Sequence, residues 1–267
     1  MKFALVDGER REAQPGLPAK CPGCGGAMIP KCGERRLRVW HWAHRGTHTC
    51  DYLREPETEW HRAWKNKFPE DWQEKPHRSE DGEKHIADVK TDRGIVIEFQ
   101  HSFLHRDERE SREKFYQNMV WVVDGLRRVR DRKRFFASLK ERSLLKAKPL
   151  TFSLSSNEGA LLRDWVDSRN PVFFDFGDNP VLLNFGYSPL FFDTPVLWRL
   201  DPRSPEGKAH LSPVGKTSFL NHYLKGLPLE DVDYSAELAR VQQASRSRPL
   251  MDFERYMARK QRTRRRF

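Results

Sequence analysis

Two short strands joined by a tight turn decide the fold, and both lie within residues 84–101, KHIADVKTDRGIVIEFQH. Apolar and polar side chains alternate over 84–91 and 95–101, which predicts two strands, and the Asp-Arg-Gly sequence between them predicts a hairpin turn. Side chains two residues apart point to the same face of a strand, so Glu98 and Gln100 share a face. Polar groups on a strand with a buried pattern need partners, and this pair therefore marks a candidate site.

The flanking sequence predicts an α/β core around this hairpin. A strand at 72–77 precedes it, and an Asp-Gly turn joins the two, which gives three successive antiparallel strands. Upstream, a helix that begins near Glu55 has a predicted buried stripe of three aromatic residues at helical spacing, Trp60, Trp64 and Phe68. Downstream follow a charged helix, an interior strand and a second basic helix, at 106–117, 118–124 and 127–141. This order predicts a mixed sheet flanked by helices.

Carboxylates on neighbouring strands can hold a divalent metal ion through their oxygen atoms. Asp88 and Glu98 stand on the two strands of the hairpin. Magnesium keeps several waters and takes one or two protein carboxylates together with a phosphate oxygen. Such an ion lowers the pKa of a bound water and stabilises charge on a phosphate during displacement. Gln100 faces the same site as Glu98, where it would orient the attacking water.

The upstream helix carries a polar row beside its aromatic stripe. Glu57, His61 and Lys65 are spaced by four residues, so they lie along one face. Taken alone, this row favours a solvated face with one ion-pair ladder. Taken with the strand carboxylates, Glu57 supplies a third carboxylate, and His61 or Lys65 supplies a phosphate contact.

A cluster of cysteines and histidines precedes this helix. Cys21-Pro-Gly-Cys24 is a CxxC knuckle flanked by glycine, and all four cysteines lie between residues 21 and 50. In a reducing compartment this pattern predicts zinc rather than a disulfide framework. A structural zinc ion takes four nitrogen or sulfur ligands. The predicted set is Cys21, Cys24, His44 and Cys50, with His41 as the next candidate and Cys32 as the last. A loop of unligated thiols is the alternative.

Together these motifs make the sequence resemble the competence protein CoiA family, a branch of the PD-(D/E)xK nuclease superfamily. The matching segments stand in the family order over about half the chain. They are CPGC and HWAH within 21–44, ETEWHRAWK at 57–65, IADV at 86–89, VIEFQHS at 96–102, REKFY at 112–116 and MVWVV at 119–123. The resemblance implies a restriction-endonuclease-like core, metal-dependent DNA cleavage and a link to DNA uptake and recombination.

The resemblance also implies roles for individual residues. Asp88 and Glu98 would ligate the catalytic Mg²⁺ or Mn²⁺. Gln100 occupies the place of the usual motif lysine, and its amide cannot ionise but can hold a water. The other matched positions are Glu57 and His61 in the preceding helix, and Arg112 and Tyr116 in the following one. For the last two, phosphate contact and sheet packing are both open.

The positive charge of the chain is concentrated in its tail. The formal net charge is +11, and residues 246–267 hold nine Lys or Arg against two Asp or Glu, a local net of +7. Such a segment is typical of nucleic-acid-binding arms. We expect it to contact DNA phosphates, notably through Arg262, Arg264, Arg265 and Arg266. The alternative is a terminal helix that only aids solubility.

The remaining sequence features exclude several classes of protein. No apolar run approaches the roughly 18 residues of a membrane span, and the first residues become charged too early for a signal peptide. With 267 residues the chain builds its own core and needs no disulfides. We therefore expect a cytoplasmic protein with no membrane partner, and homo-oligomer formation stays open.

Four regions follow from these patterns together with the resemblance. They are a zinc-binding module at 1–52, a nuclease-like core at 53–148, a small β-rich extension at 149–230 and a basic helical or disordered tail at 231–267. The function expected is a metal-dependent deoxyribonuclease acting in DNA uptake, recombination, repair or defence, with strand preference open. The main alternative is a zinc-containing DNA-binding protein whose nuclease-like fold does not cleave. A zinc-stapled protein-interaction module is the third interpretation.

Overall fold

The computed structural model describes most of the chain as far as residue 243. The described residues are 1–33, 39–46, 57–78, 84–139, 143–157, 159–179, 181–185, 188–192, 194–202, 204–236, 238–240 and 242–243. Two predictions fall outside them, namely Cys50 as a metal ligand and the tail arginines Arg262, Arg264, Arg265 and Arg266 as DNA contacts. Within the described part, every helix is too short or too polar to cross a membrane.

The amino-terminal region forms a small antiparallel sheet of five strands. These are β1 (Phe3–Val6), β2 (Glu9–Glu12), β3 (Ala19–Lys20), β4 (Ala27–Lys31) and β5 (His41–His44), in the order β2-β1-β3-β4-β5. Two backbone hydrogen bonds between Met1 and Trp42, of 2.8 and 3.1 Å, also join β5 to the residue before β1. The sheet therefore curls on itself, and the buried side chain of Trp42 belongs to its core.

The rest of the described chain builds a larger sheet of nine strands. Its members are β6 (Gln73–Arg78), β7 (Lys84–Lys90), β8 (Val96–Gln100), β9 (Met119–Asp124), β10 (Ser143–Ala147), β11 (Leu150–Ser155), β12 (Val172–Asp175), β15 (Val196–Leu200) and β16 (Lys208–Gly215). A separate hairpin consists of β13 (Val181–Phe185) and β14 (Ser188–Phe192). The order in the large sheet is β10-β11-β16-β15-β12-β9-β8-β7-β6.

Five helices accompany the strands in the described part of the chain. They are α1 (Glu59–Lys65), α2 (Arg106–Tyr116), α3 (Val129–Ser138), α4 (Ala160–Trp165) and α5 (Lys216–Lys225), and a 3₁₀ turn covers Glu70–Trp72. On one face of the sheet, Trp64 of α1 packs against Phe99 of β8, and Phe219 of α5 packs against Trp64. On the other face, Phe135 of α3 and Trp165 of α4 join a second core cluster. Helices thus cover both faces of a mixed sheet, as predicted.

Strand direction places several chain segments at one edge of the large sheet. β8, β9 and β12 run parallel, with α2 as the crossover between the first two, and the remaining neighbours pair antiparallel. Because β6 and β8 are both antiparallel to β7, they also run in the same direction. The carboxyl ends of β6, β8, β9 and β12 therefore lie at the same end of the sheet. We call this row of strand ends the carboxyl edge.

The predicted elements between residues 72 and 124 are confirmed to within one residue at most boundaries. The region predicted as a small β-rich extension does contain strands, and most of them continue the large sheet. β12 pairs with β9 in parallel, and β15, β16 and β11 extend the same sheet outward. The domain boundary predicted at residue 148 therefore does not correspond to a break in the sheet.

Candidate functional site

Helix α1 is fixed to strand β8 by His61. The Thr58 side chain caps the helix by accepting the backbone N–H of His61 at 3.3 Å. Nε2 of His61 lies 2.8 Å from the carbonyl oxygen of Phe99, and Nδ1 lies 2.8 Å from the Thr58 hydroxyl. A carbonyl only accepts, so this network places a proton on Nε2. His61 therefore positions the helix against the strand that carries Glu98.

The polar row of α1 is buried, so it is not the solvated face that its spacing favours when taken alone. Glu57 lies just before the helix, and its carboxylate contacts Nζ of Lys65 at 2.7 Å. Nζ of Lys65 is also 2.9 Å from Glu74 and 3.9 Å from Asp88. The side chain of Lys65 is 0% exposed. Lys65 therefore holds three carboxylates together and does not lie at the surface, where the sequence analysis expected a DNA contact.

Glu74 is the member of this group that the sequence analysis missed. Its backbone has a φ of +48°, in the left-handed region that is uncommon for residues other than glycine. Its carboxylate accepts the backbone N–H groups of Lys2 at 2.8 Å and Phe3 at 2.9 Å. Glu74 thus connects the Lys65 cluster to β1 of the small sheet. No local pattern could identify it, because these partners are more than 70 residues away in sequence.

Strands β7 and β8 separate where Asp88 stands. Their ladder consists of two cross-strand pairs, Val89–Ile97 and Lys90–Val96. Beyond it, the Asp88 carboxylate accepts the backbone N–H of Phe99 at 3.1 Å. The Asp88 side chain thus takes the place of a ladder hydrogen bond. This side chain remains 14% exposed. This opening is where the sequence analysis expected the catalytic metal.

Glu98 is held from the other helix. Its carboxylate contacts Nη1 of Arg112 in α2 at 3.1 Å, and both side chains are buried. Gln100 donates from its amide nitrogen to the carbonyl oxygen of Ser102 at 3.2 Å. The Tyr116 ring packs edge-on against His77, with centroids 5.4 Å apart. Asp88 is thus paired with α1 and Glu98 with α2, and the contacts of Tyr116 favour sheet packing.

Two further carboxylates occupy the carboxyl edge, and neither was predicted. Asp124 at the end of β9 lies 2.7 Å from Nδ1 of His101. Asp175 at the end of β12 accepts the indole N–H groups of Trp60 and Trp64 at 3.2 and 2.9 Å. The available sequence signal was an acidic residue at the end of an otherwise apolar strand, which is visible in MVWVVD at 119–124.

The CxxC knuckle brings three metal-binding side chains together. The ligand atoms of Cys21, Cys24 and His44 all lie within 4.8 Å of one another, and Nε2 of His44 is 3.3 Å from the Cys24 sulfur. The backbone N–H groups of Gly23 and Gly26 point at the two sulfurs at 3.4 Å. A Cβ at Gly26 would stand 3.2 Å from the Cys24 sulfur, so a larger residue would crowd the site.

The other candidates for this site differ in position. His41 lies on the opposite face of β5 from His44, since the two are three positions apart along the strand. Its Nδ1 is 2.9 Å from the carbonyl oxygen of Val39. Among the described residues, Cys32 is not part of the metal-binding group, and Cys50 lies outside them. The structure thus brings together three of the four predicted ligands.

The carboxylates do not form a comparable group. Within the described part of the chain, no three Asp or Glu side chains bring their ligand atoms within 4.8 Å of one another.

Comparison with protein-family models, with curated proteins and with solved structures gives no match for this chain.

Proposed function

We propose that this protein is a metal-dependent nuclease that hydrolyses DNA phosphodiester bonds. The observation that supports this most directly is the opening between β7 and β8. There the ladder ends, the Asp88 side chain takes over a backbone hydrogen bond, and Glu98 stands on the adjacent strand. The element order from α1 to β9 is also the order expected of a restriction-endonuclease-like core.

The donor set fits a hard divalent cation. Asp88 and Glu98 offer carboxylate oxygens, which Mg²⁺ and Mn²⁺ prefer, and Glu57 supplies a third carboxylate nearby through Lys65. When bound, the ion would acidify a water and neutralise charge on the phosphate. Lys65 and Arg112 position these carboxylates, and Gln100 offers an amide oxygen to orient a water.

The Cys-His group fits a different ion. Two thiolates and one imidazole are ligands of structural zinc, and the proposed fourth is Cys50. This zinc would hold the small sheet together. Because Glu74 binds the backbone at the start of β1, a zinc ion that holds this sheet would also support the Lys65 cluster. The basic tail stays a proposed contact for DNA phosphates.

The decisive experiment compares cleavage of single- and double-stranded DNA with Mg²⁺, with Mn²⁺ and without added metal. We expect metal-dependent cleavage that Asp88→Asn and Glu98→Gln each abolish, because both remove negative charge from the metal site. Asp92→Asn is the matched control, since Asp92 is an exposed carboxylate in the turn after β7. DNA binding should persist in all three variants. Cleavage by either site variant at the wild-type rate would overturn the assignment.

A second candidate function is DNA binding without cleavage. It is favoured by the protein cations that already neutralise the carboxylates, Lys65 beside Asp88 and Arg112 beside Glu98. Binding without cleavage under every metal condition would select this alternative.

A further inference from the structure

The end of the β6–β7 hairpin carries two cross-strand pairs of basic residues. In the antiparallel register His77 stands opposite His85, and Arg78 stands opposite Lys84. Like charges directly opposite each other destabilise a strand pair. The Arg78–Lys84 pair is therefore costly in the isolated hairpin, and an anion between the two side chains would relieve that cost.

A hollow lies between this hairpin and the CxxC knuckle. Its volume is about 320 Å³, and Gly23 of the knuckle forms part of its wall. The other lining residues are Pro76, His77, Arg78, Lys84, His85 and Ile86. The described lining thus contains two cations and two imidazoles and no carboxylate. A second hollow of about 500 Å³ shares His77 and Arg78 and adds the cations Lys75 and Lys90, along with Asp71 and Asp92.

His77 stands partly buried among basic neighbours at this hollow. Burial, together with the nearby Lys90 and His85, lowers the pKa of His77 to about 4. The Tyr116 ring covers it from α2, and its Nε2 has no hydrogen-bond partner among the described residues. Positive neighbours disfavour a further positive charge and favour a bound anion.

The hollow lies at the same edge of the sheet as the proposed catalytic opening. Arg78 ends β6 and Gln100 ends β8, and these strands run in the same direction. A strand of DNA that lies along the carboxyl edge would therefore pass both places. Phosphates recur along such a strand at intervals of several ångströms, which suits contacts at successive positions.

We propose that the first hollow, which we call the basic cleft, binds backbone phosphates of the DNA substrate. Arg78, Lys84 and the knuckle backbone at Gly23 form this cleft. The choice of DNA as the source of phosphate rests on the proposed function. The site itself is defined by the opposed cations and the hollow between them. The cleft places the zinc-binding module in direct contact with the substrate, in addition to its role in folding.

The test measures how DNA affinity depends on salt, with full-length protein and without added Mg²⁺ or Mn²⁺. The site variant is Arg78→Ala with Lys84→Ala. The charge-matched control is Lys146→Ala with Lys208→Ala, because both lysines are exposed. Lys146 lies on β10, the edge strand farthest from β6 in the sheet order. The acidic residues at 80, 81 and 83 are unchanged in every protein, so their charge is common to all.

Loss of two phosphate contacts should flatten the slope of log affinity against log salt by about 1.8 on duplex DNA and about 1.4 on single strands. The control should keep the wild-type slope. The melting temperature of the site variant should not fall, because the substitution removes a like-charge pair. A second arm follows the His77 ring by NMR, and a DNA oligonucleotide should raise its pKa above about 4.

The outcomes separate this inference from the proposed function. If wild-type protein cleaves DNA and the site variant keeps its salt slope, the inference is overturned and the nuclease assignment stands. If binding shows the expected slope change but no metal supports cleavage, the cleft stands and the nuclease assignment fails. Inorganic phosphate is the second probe for the NMR arm. A response of His77 to phosphate but not to DNA would overturn the choice of DNA, as would wild-type protein that binds no DNA.

Discussion

The two candidate metal centres differ in how the protein treats their charge. In the knuckle, Cys21, Cys24 and His44 converge with their ligand atoms within 4.8 Å of one another. In the Lys65 cluster, the carboxylates converge on a protein cation instead, at 2.7 to 3.9 Å. Thiols and imidazoles can approach each other in neutral form, whereas buried carboxylates need a positive partner. A lysine thus supplies in one region the charge that a metal ion would supply in the other.

The largest effect should come from breaking the knuckle. Cys21→Ser with Cys24→Ser removes two of the proposed zinc ligands, and structural zinc contributes its binding free energy to folding. We expect complete loss of bound metal and loss of hydrogen-exchange protection over β1 to β5. Elemental analysis and exchange mass spectrometry measure the two effects. Cys32→Ser is the control and should keep the metal. One equivalent of metal retained by the double variant would refute the assignment.

The Lys65 cluster should fail by a different mechanism. Lys65→Met leaves Glu57, Glu74 and Asp88 without their shared cation, and breaking a buried ion pair from one side costs about 3–5 kcal/mol. Urea denaturation measures this loss in the free energy of unfolding. The control is Lys67→Met, because Lys67 follows the same helix and is exposed. A change of less than about 1 kcal/mol at Lys65 would show that the cluster does not depend on its cation.

His77 gives a third case for this comparison. It is partly buried beside cations, and it becomes neutral, whereas the buried carboxylates are paired with Lys65. Its pKa is about 4 in the folded chain against an ordinary value of 6.5. Between these values the unfolded chain binds a proton that the folded chain does not, so this contribution to stability falls as the pH decreases from 6.5 to 4. His77→Gln should reduce the difference between the melting temperatures at pH 7 and pH 5. An unchanged difference would contradict this mechanism.

Local pattern predicted the elements from α1 to β9 and placed Asp88 and Glu98 on neighbouring strands. These features depend on periodicity and turn residues within a few positions of each other. The CxxC knuckle was predictable for the same reason, since two of its ligands are three residues apart. Three of the four predicted ligands, Cys21, Cys24 and His44, lie together, and zinc binding by them stays a prediction.

The features that were missed depend on contacts between distant parts of the chain. Glu74 becomes part of the site through the backbone of Lys2 and Phe3 and through an unusual φ, and no nearby residue signals either. The row on α1 has the spacing of a solvated ladder, and only tertiary packing buries it. Likewise, β12 reads as a short strand in sequence, but its partner β9 lies some 50 residues earlier.

The pairing of β9 with β12 has a practical consequence for any shortened version of this protein. All six residues of β9, Met119–Asp124, are buried. A fragment ending at residue 148 would lack β12 and would present this apolar strand as an open edge to solvent. Exposed edges of this composition recruit strands from other chains, so such a fragment should precipitate or assemble into fibrils rather than remain dispersed. The predicted catalytic core is therefore not a unit that can be excised.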